Sequence, residues 1–224
     1  MTNIEKIDPK KITIISNYLM DFLPDYKKLG KKNFSRVIGC LEQSVGYWVD
    51  WGTDIKLMGC VFNLANPLDN SCANLGVEPQ SRRYSVTWKE FEDGKFLEAI
   101  NEIKELAAIP LEGDLTLSQI INGYKNYTGS VYEERHFEDP ALIAAWAGCP
   151  EVAQDCLDWG LSGVKEKYGD NGIYKNGKSI TIDDWYADMQ EKIANPEQLR
   201  QDVEDQIVHH KLTKVPRYDI IIDM

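Results

Sequence analysis

The sequence predicts an α+β fold that is predominantly α-helical, with a small antiparallel β element and with helical hairpins in the C-terminal two-thirds. Two observations support this class: apolar residues recur at helical spacing over most of the chain, and a few short stretches have the composition of strands. No long linker divides the 224 residues, so we expect a single domain over 1–224. Residues 1–90 are expected to hold helices plus short strands. Residues 91–224 are expected to form a helical part with a β-hairpin near 172–181.

Two helices are predicted in the first 52 residues. Asp8 precedes Pro9, which is typical of a helix that begins at proline and is capped by the aspartate, and Pro24 ends this helix. A second helix is expected between Asn33 and Gly52, because apolar residues recur there at intervals of three and four. These residues are Phe34, Val37, Ile38, Leu41, Val45 and Trp48.

Short strands are predicted next. Residues 55–64 are mostly apolar and are bounded by turn formers. In 83–88 the apolar side chains of Tyr84, Val86 and Trp88 alternate with polar ones, as in a half-buried strand. The stretch 65–81 between them is interpreted as a long loop, a type of segment that often has a function of its own.

Helical patterns return after Gly94. Apolar residues at helical spacing predict a helix that Pro110 ends, and Thr116 with Gln119 has the spacing of a capping box for the next helix.

A hairpin and two helices are predicted near the C-terminal end. Asn176-Gly177 fits a type I′ turn of a β-hairpin. Thr181 is the predicted N-cap of the following helix, with Asp184 placed to reach back to it, and Asn195 is the predicted N-cap of the last helix. Residues 217–222 are interpreted as a short terminal strand or packed tail.

The segment around His136 raises the question of a zinc site. His136 and Glu138 supply the first half of the pattern of zinc deaminases, His-x-Glu followed by Pro-Cys-x-x-Cys. The second half does not fit, because Pro150 follows Cys149 and six residues separate Cys149 from Cys156. We therefore predict no metal site and no cofactor.

A pair of helices explains the same segment better. Asp139 is expected to cap a helix that begins at Pro140, Gly148 to end it in a left-handed conformation, and Pro150 to begin a second helix in which Cys156 is a buried core residue. The alanine-rich helix, glycine turn and Pro-Glu-Val start resemble one ankyrin repeat over about 25 residues. The Thr-Pro-Leu-His opening of that repeat is absent and no second copy follows, so the segment is interpreted as a helical hairpin.

Composition excludes several classes of function. The net charge of −11 disfavours nucleic acid as a partner, since phosphate binding needs a basic surface. No apolar run is long enough to cross a membrane, which predicts no membrane association and a cytoplasmic protein. The odd number of scattered cysteines favours reduced thiols over a disulfide framework. The cysteines are Cys40, Cys60, Cys72, Cys149 and Cys156.

The sequence contains no nucleophile elbow, P-loop or dinucleotide-binding motif, so no catalytic residue is predicted. In its size and acidity the chain resembles bacterial immunity proteins, antitoxins and inhibitors, which would imply a protein that binds and blocks a basic toxin domain. The candidate partner contacts are acidic: Glu133, Glu134, Glu138, Asp183 and Asp184. Two alternatives stay open, a hydrolase that uses carboxylates or Cys149, and a scaffold subunit of a larger assembly.

Overall fold

The computed structural model describes residues 5–66, 75–77, 85–128, 134–175 and 178–224. Its helices are α1 (Pro9–Asp21), α2 (Trp88–Glu92), α3 (Lys95–Leu106), α4 (Leu117–Lys125), α5 (Arg135–Trp146), α6 (Pro150–Tyr168), α7 (Ile182–Ile193) and α8 (Pro196–His209). Its strands are β1 (Lys27–Lys28), β2 (Asn33–Ile38), β3 (Leu41–Asp50), β4 (Asp54–Asn63), β5 (Leu75–Val77), β6 (Val86–Thr87), β7 (Leu115–Thr116), β8 (Ile173–Lys175), β9 (Lys178–Ile180), β10 (Arg217–Tyr218) and β11 (Ile220–Ile221). The predicted α+β class is confirmed.

An antiparallel meander of β2, β3 and β4 forms the centre of a seven-stranded sheet. The β3–β4 pair is the longest, running from Leu41 opposite Asn63 to Asp50 opposite Asp54. The C-terminal strand β10 lies parallel to β2, with Arg217 opposite Val37. Strands β1, β5 and β6 complete the sheet.

The helix predicted between Asn33 and Gly52 is wrong, because this segment forms β2, a tight turn and β3. Gly39 has φ +55°, a conformation that breaks a helix and that glycine adopts readily. The strand pattern is hard to recognise because Arg36 and Gln43 are buried where alternation would place apolar residues. The apolar spacing of three and four is then coincidental.

Two hydrophobic clusters lie at opposite ends of the β3–β4 pair. Near the β3–β4 turn, Val45 and Leu57 belong to a cluster that includes the buried side chains of α1 and α3. Near the β2–β3 turn, Leu41 and Val61 belong to a larger cluster with the buried side chains of α4–α8. The sheet therefore carries a different set of helices at each end.

The buried pair Arg36 and Gln43 ties the segment after α3 to the sheet. The Arg36 Nε donates to Gln43 Oε1 at 2.8 Å, and Gln43 Nε2 donates to the Pro110 carbonyl at 2.9 Å. A second guanidinium nitrogen of Arg36 donates to the Gly113 carbonyl at 3.0 Å. Interior polar groups normally persist only when they are hydrogen-bonded, and this pair satisfies both strand side chains and loop carbonyls.

The predicted helix starts at Asp8 and Thr116 are confirmed. Asp8 Oδ1 accepts from the amides of Lys10 and Lys11 at 2.8 and 2.9 Å. Thr116 and Gln119 form a complete capping box at the start of α4.

The N-caps Thr181 and Asn195 are confirmed for α7 and α8, where each side chain accepts a backbone N–H of the first turn. The β8–β9 hairpin is present, although its turn residues 176 and 177 lie outside the described residues. The terminal strand expected within 217–222 appears as β10 and β11.

The start of α5 was predicted wrongly. The helix begins at Arg135 rather than after Asp139, and Pro140 lies inside it. Asp139 is completely buried and bonds to residues of the β4 end, so tertiary contacts hold the turn before the proline. Gly148 (φ +81°) follows the helix, and Cys156 is a buried core residue, as predicted.

Of the strand expected at 83–88, Val86 and Thr87 form β6, and Trp88 begins α2. Residues 83 and 84 and most of the loop expected at 65–81 lie outside the described residues; within that loop, 75–77 forms β5. None of the helices in the described ranges is long and apolar enough to cross a membrane.

Candidate partner-binding site

Helices α6, α7 and α8 form an outer layer whose apolar side chains point toward α5. The buried side chains recur at helical spacing, as in Leu199, Val203 and Ile207 of α8. The remaining positions of these helices are mostly polar and exposed. The outward faces of these helices are therefore polar and accessible to solvent or to a partner.

Most of the negative charge of the protein lies in this layer. Residues 150–210 contain thirteen aspartates and glutamates but six lysines and arginines, which gives this segment −7 of the total −11. Glu151, Asp155, Asp183 and Glu191 are exposed and have no cationic partner among the described residues. We call the acidic side chains of α6, α7 and α8 the acidic surface.

Neutral glutamines hold three carboxylates of the acidic surface. Each of these aspartates accepts a hydrogen bond from the Nε2 of a glutamine four residues earlier, at distances of 2.8 to 2.9 Å. The pairs are Gln154 with Asp158, Gln198 with Asp202, and Gln201 with Asp205. Such pairs stabilise a helix slightly. Because glutamine carries no charge, the carboxylate is positioned while its full negative charge remains available.

The junction of α6 and α7 orients one of these carboxylates further. The hydroxyl of Tyr186 donates to Asp158 Oδ1 at 2.9 Å, and Gln154 Nε2 donates to the same hydroxyl at 3.1 Å. The hydrogen bond to Asp158 raises the pKa of Tyr186, because it favours the protonated phenol. Asp158 is thus held by two neutral donors from two helices.

Other carboxylates of the layer are already neutralised. Asp188 pairs with Lys192 at 2.8 Å, and Glu197 pairs with Arg200. Glu204 forms a two-pronged pair with Arg217, which lowers the pKa of that carboxyl. The acidic surface therefore contains three kinds of carboxylate: those paired with cations, those held by glutamine, and exposed ones with neither kind of partner among the described residues.

The structure places the five predicted contact residues differently. Asp183 and Asp184 are exposed at the start of α7, where Asp184 also accepts the Thr181 hydroxyl at 2.7 Å. Glu133 lies outside the described residues. Glu134 and Glu138 are in the interior, with exposed fractions of 7% and 0%, so the expectation that they contribute to a partner surface is wrong.

The interior carboxylates belong to a buried polar network. Glu138 accepts from the indole N–H of Trp185 at 2.8 Å and from Asn66 at 3.0 Å. Asp139 Oδ1 accepts from Asn63 at 3.0 Å and from Asn66 at 2.9 Å. Burial raises the pKa of Asp139 to about 6, against the opposing influence of nearby Arg135. These bonds join the β4 end to α5 and α7, which is a structural role.

The residues once considered for zinc do not converge. His136 contacts aromatic rings, with Phe137 at 5.3 Å and Trp159 at 5.6 Å between ring centroids. Its Nδ1 is buried without a hydrogen bond in the described part of the chain, and burial lowers its pKa. Within the described ranges no group of three histidine, cysteine or acidic side chains could hold a metal ion.

A groove of about 590 Å³ lies beside the acidic surface, between the end of α6, the β8–β9 hairpin and the start of α7. Its walls include Lys165 and Asp183 together with Ile180 and Ile182. The mixture of opposite charges and apolar groups selects no ligand class by itself.

Sequence reasoning missed the glutamine-held aspartates, although the signal was visible. Glutamine precedes aspartate by four residues three times, at 154, 198 and 201, and this spacing places the two side chains on one helix face.

Comparison of the chain with protein-family models, with curated proteins and with solved structures finds no match.

Proposed function

We propose that this protein binds a basic protein partner through the acidic surface of α6–α8. The observation that carries the proposal is the set of three aspartates held by glutamine. Each is oriented by a glutamine hydrogen bond and, among the described residues, has no cation beside it, so a partner's lysine or arginine can pair with them without first displacing one. Preorganised charges of this kind accelerate encounter with a partner of opposite charge and select against other partners.

The more specific form of the proposal is an immunity or antitoxin-like inhibitor. Enzymes that act on nucleic acids need a basic substrate surface, and an acidic protein that covers such a surface blocks it. The acidic surface has the sign required for this competition. The carboxylate form of the hydrolase alternative is less favoured, because Asp139, whose pKa is raised by burial, is inaccessible to solvent and accepts hydrogen bonds from asparagines of the fold.

Affinity capture with three matched baits tests the proposal. The first is the wild-type protein and the second carries Asp158→Asn, Asp202→Asn and Asp205→Asn. The third carries Asp21→Asn, Asp93→Asn and Glu105→Gln, which removes the same charge from exposed positions outside the acidic surface. We expect a basic protein to be retained by the wild-type and third baits, to be lost from the second, and to elute as salt rises.

Equal retention by all three baits, or retention of no basic protein, would contradict the proposal. The inhibitor form is tested with the captured protein itself. Its expression alone should arrest growth, and co-expression with the wild-type chain, but not with the second variant, should restore it. If the captured protein binds but keeps its activity in the presence of the chain, the binding proposal stands and the inhibitor form is excluded.

A further inference from the structure

Trp51 is presented to solvent from a strained turn at the tip of the β3–β4 hairpin. Its side chain has an exposed fraction of 91%, the highest among the large apolar residues of the described ranges. Its φ is +49° and that of Gly52 is +76°, and the Thr53 amide donates to the Asp50 carbonyl at 3.0 Å. Turns with two left-handed residues normally place Asn, Asp or Gly where this chain has tryptophan.

The tip is firmly held, so the indole is not on a frayed loop. The Ile7 amide donates to the Gly52 carbonyl at 2.7 Å, and the Thr53 hydroxyl donates to Asp54 Oδ2 at 2.9 Å. Asp50 lies opposite Asp54 at the last position of the β3–β4 backbone ladder. A fixed backbone with a fully exposed aromatic side chain is the arrangement of an interface anchor.

Two carboxylates stand opposite each other at this tip. Asp50 and Asp54 are cross-strand neighbours, a placement that is unfavourable for like charges. Lys56 relieves one of them by pairing with Asp50, and its Nζ also lies 6.0 Å from the centre of the Trp48 ring. In the described part of the chain, Asp54 has no such cation.

Three other tryptophans of the protein each have a lysine ammonium near the ring. Lysine Nζ atoms lie 4.7 Å from the ring centre of Trp88 and 5.7 Å from that of Trp159, in addition to the pair at Trp48. No described cation lies over Trp51. The Trp48–Lys56–Asp50 set is therefore an occupied cation site in the same hairpin. Trp51 and Asp54 offer the same two kinds of group, with no cation on either among the described residues.

We propose that Trp51 and Asp54 form a second interaction site, which receives an arginine side chain of a protein partner. A guanidinium can stack on the indole face and pair with the carboxylate at the same time, because it is planar and carries several donors. The site is separate from the acidic surface, since the hairpin tip lies at the end of the sheet covered by α1 and α3. It does not depend on the function proposed above. Carboxylates beside the indole disfavour a lipid surface as the occupant.

Nuclear magnetic resonance of the whole chain tests the site with a blocked triarginine peptide. The indole N–H signal of Trp51 is identified by its absence in Trp51→Phe. We expect this signal to shift with the peptide and to saturate, to stay unchanged with a blocked triglutamate peptide, and to require about fivefold more peptide in Asp54→Asn. The variant Asp158→Asn, Asp202→Asn, Asp205→Asn should keep the shift, which separates this site from the acidic surface.

A triarginine peptide that leaves the Trp51 signal unmoved, or that acts equally on Asp54→Asn, would overturn the proposal. So would a response only to phosphatidylcholine vesicles, which would indicate a membrane, or only to protein concentration, which would indicate a second copy. A stability measurement adds an independent check. Trp51→Asn places a favoured residue in the turn and should raise the urea midpoint, and a lower midpoint would show that the indole serves the fold instead.

Discussion

The indole N–H of Trp185 donates to a carboxylate oxygen of Glu138 at 2.8 Å, and both side chains are completely inaccessible to solvent. This bond joins α7 to α5 in the interior. Replacing Trp185 by phenylalanine removes the five-membered ring of the indole and leaves the buried Oε1 of Glu138 without this donor. We expect the free energy of unfolding to fall by about 2 kcal/mol, measured by urea denaturation.

Trp146→Phe, at a partly exposed position, is a control without such a bond, because the indole N–H of Trp146 makes no hydrogen bond within the described residues. Its cost should be below about 1 kcal/mol. Equal losses for the two variants would mean that ring volume, and not the bond to Glu138, determines the stability.

The buried carboxyl of Asp139 predicts an unusual pH dependence. Its folded pKa of about 6 lies above the ordinary value of 3.8, so between these values the folded chain binds more protons than the unfolded chain. The stability contributed by this group is therefore greatest below about pH 4 and is lost as the pH rises through 6. Asp139→Asn should remove this loss, which is at most about 3 kcal/mol.

Urea denaturation of both chains between pH 4 and pH 7 measures the difference. The stability of the Asn variant relative to wild type should increase with pH over this range. A difference that does not change with pH would show that Asp139 titrates normally.

Arg36 should be more important for stability than any exposed arginine. It is 1% exposed and bonds to Gln43 and to the Gly113 carbonyl, so its removal leaves several buried acceptors unsatisfied. Arg36→Met should lower the free energy of unfolding by about 3 kcal/mol. Arg36→Lys should recover little of it, because an ammonium cannot reproduce the guanidinium geometry. Arg200→Met, at an exposed ion pair, should cost less than about 1 kcal/mol.

Close packing of α6 on α5 depends on Gly160. A Cβ at this position would lie 2.5 Å from the carbonyl oxygen of Phe137, a backbone atom that cannot easily move. Gly160→Ala should therefore cost about 2 kcal/mol of stability, although alanine normally favours a helix. Gly30, where a Cβ would meet nothing within 4 Å, provides the control. A thermal melt in which both variants match wild type would contradict this packing.

Local signals predicted the parts of the fold that local chemistry determines. Asp8 and Thr116 act as caps because the groups they bind lie within three residues of them. The strands at 33–50 were missed because burial of Arg36 and Gln43 depends on carbonyls of residues 110 and 113.

In the candidate site, too, contacts between residues distant in sequence could not be predicted. Glu138 looked like a surface acid, and only its contacts with Asn66 and Trp185, distant in sequence, make it an interior residue. Asp183 and Asp184 were placed on the surface correctly because they follow the cap Thr181, itself a local signal. The positive φ of Trp51 could not be predicted from the sequence, in which only the following glycine, Gly52, indicates a turn.

The pairing of Arg217 with Val37 has a consequence for how the chain folds as it is made. Strand β2 leaves the ribosome about 180 residues before β10, which lies beside it in the sheet. Ile220 likewise returns to pair with Leu115. Until these late residues emerge, the part of the β2 edge at Val37 and Ile38 stays open to other chains, and open edges promote aggregation. We expect a nascent chain stalled before residue 217 to be protease-sensitive at β2 and to depend on chaperones for its solubility.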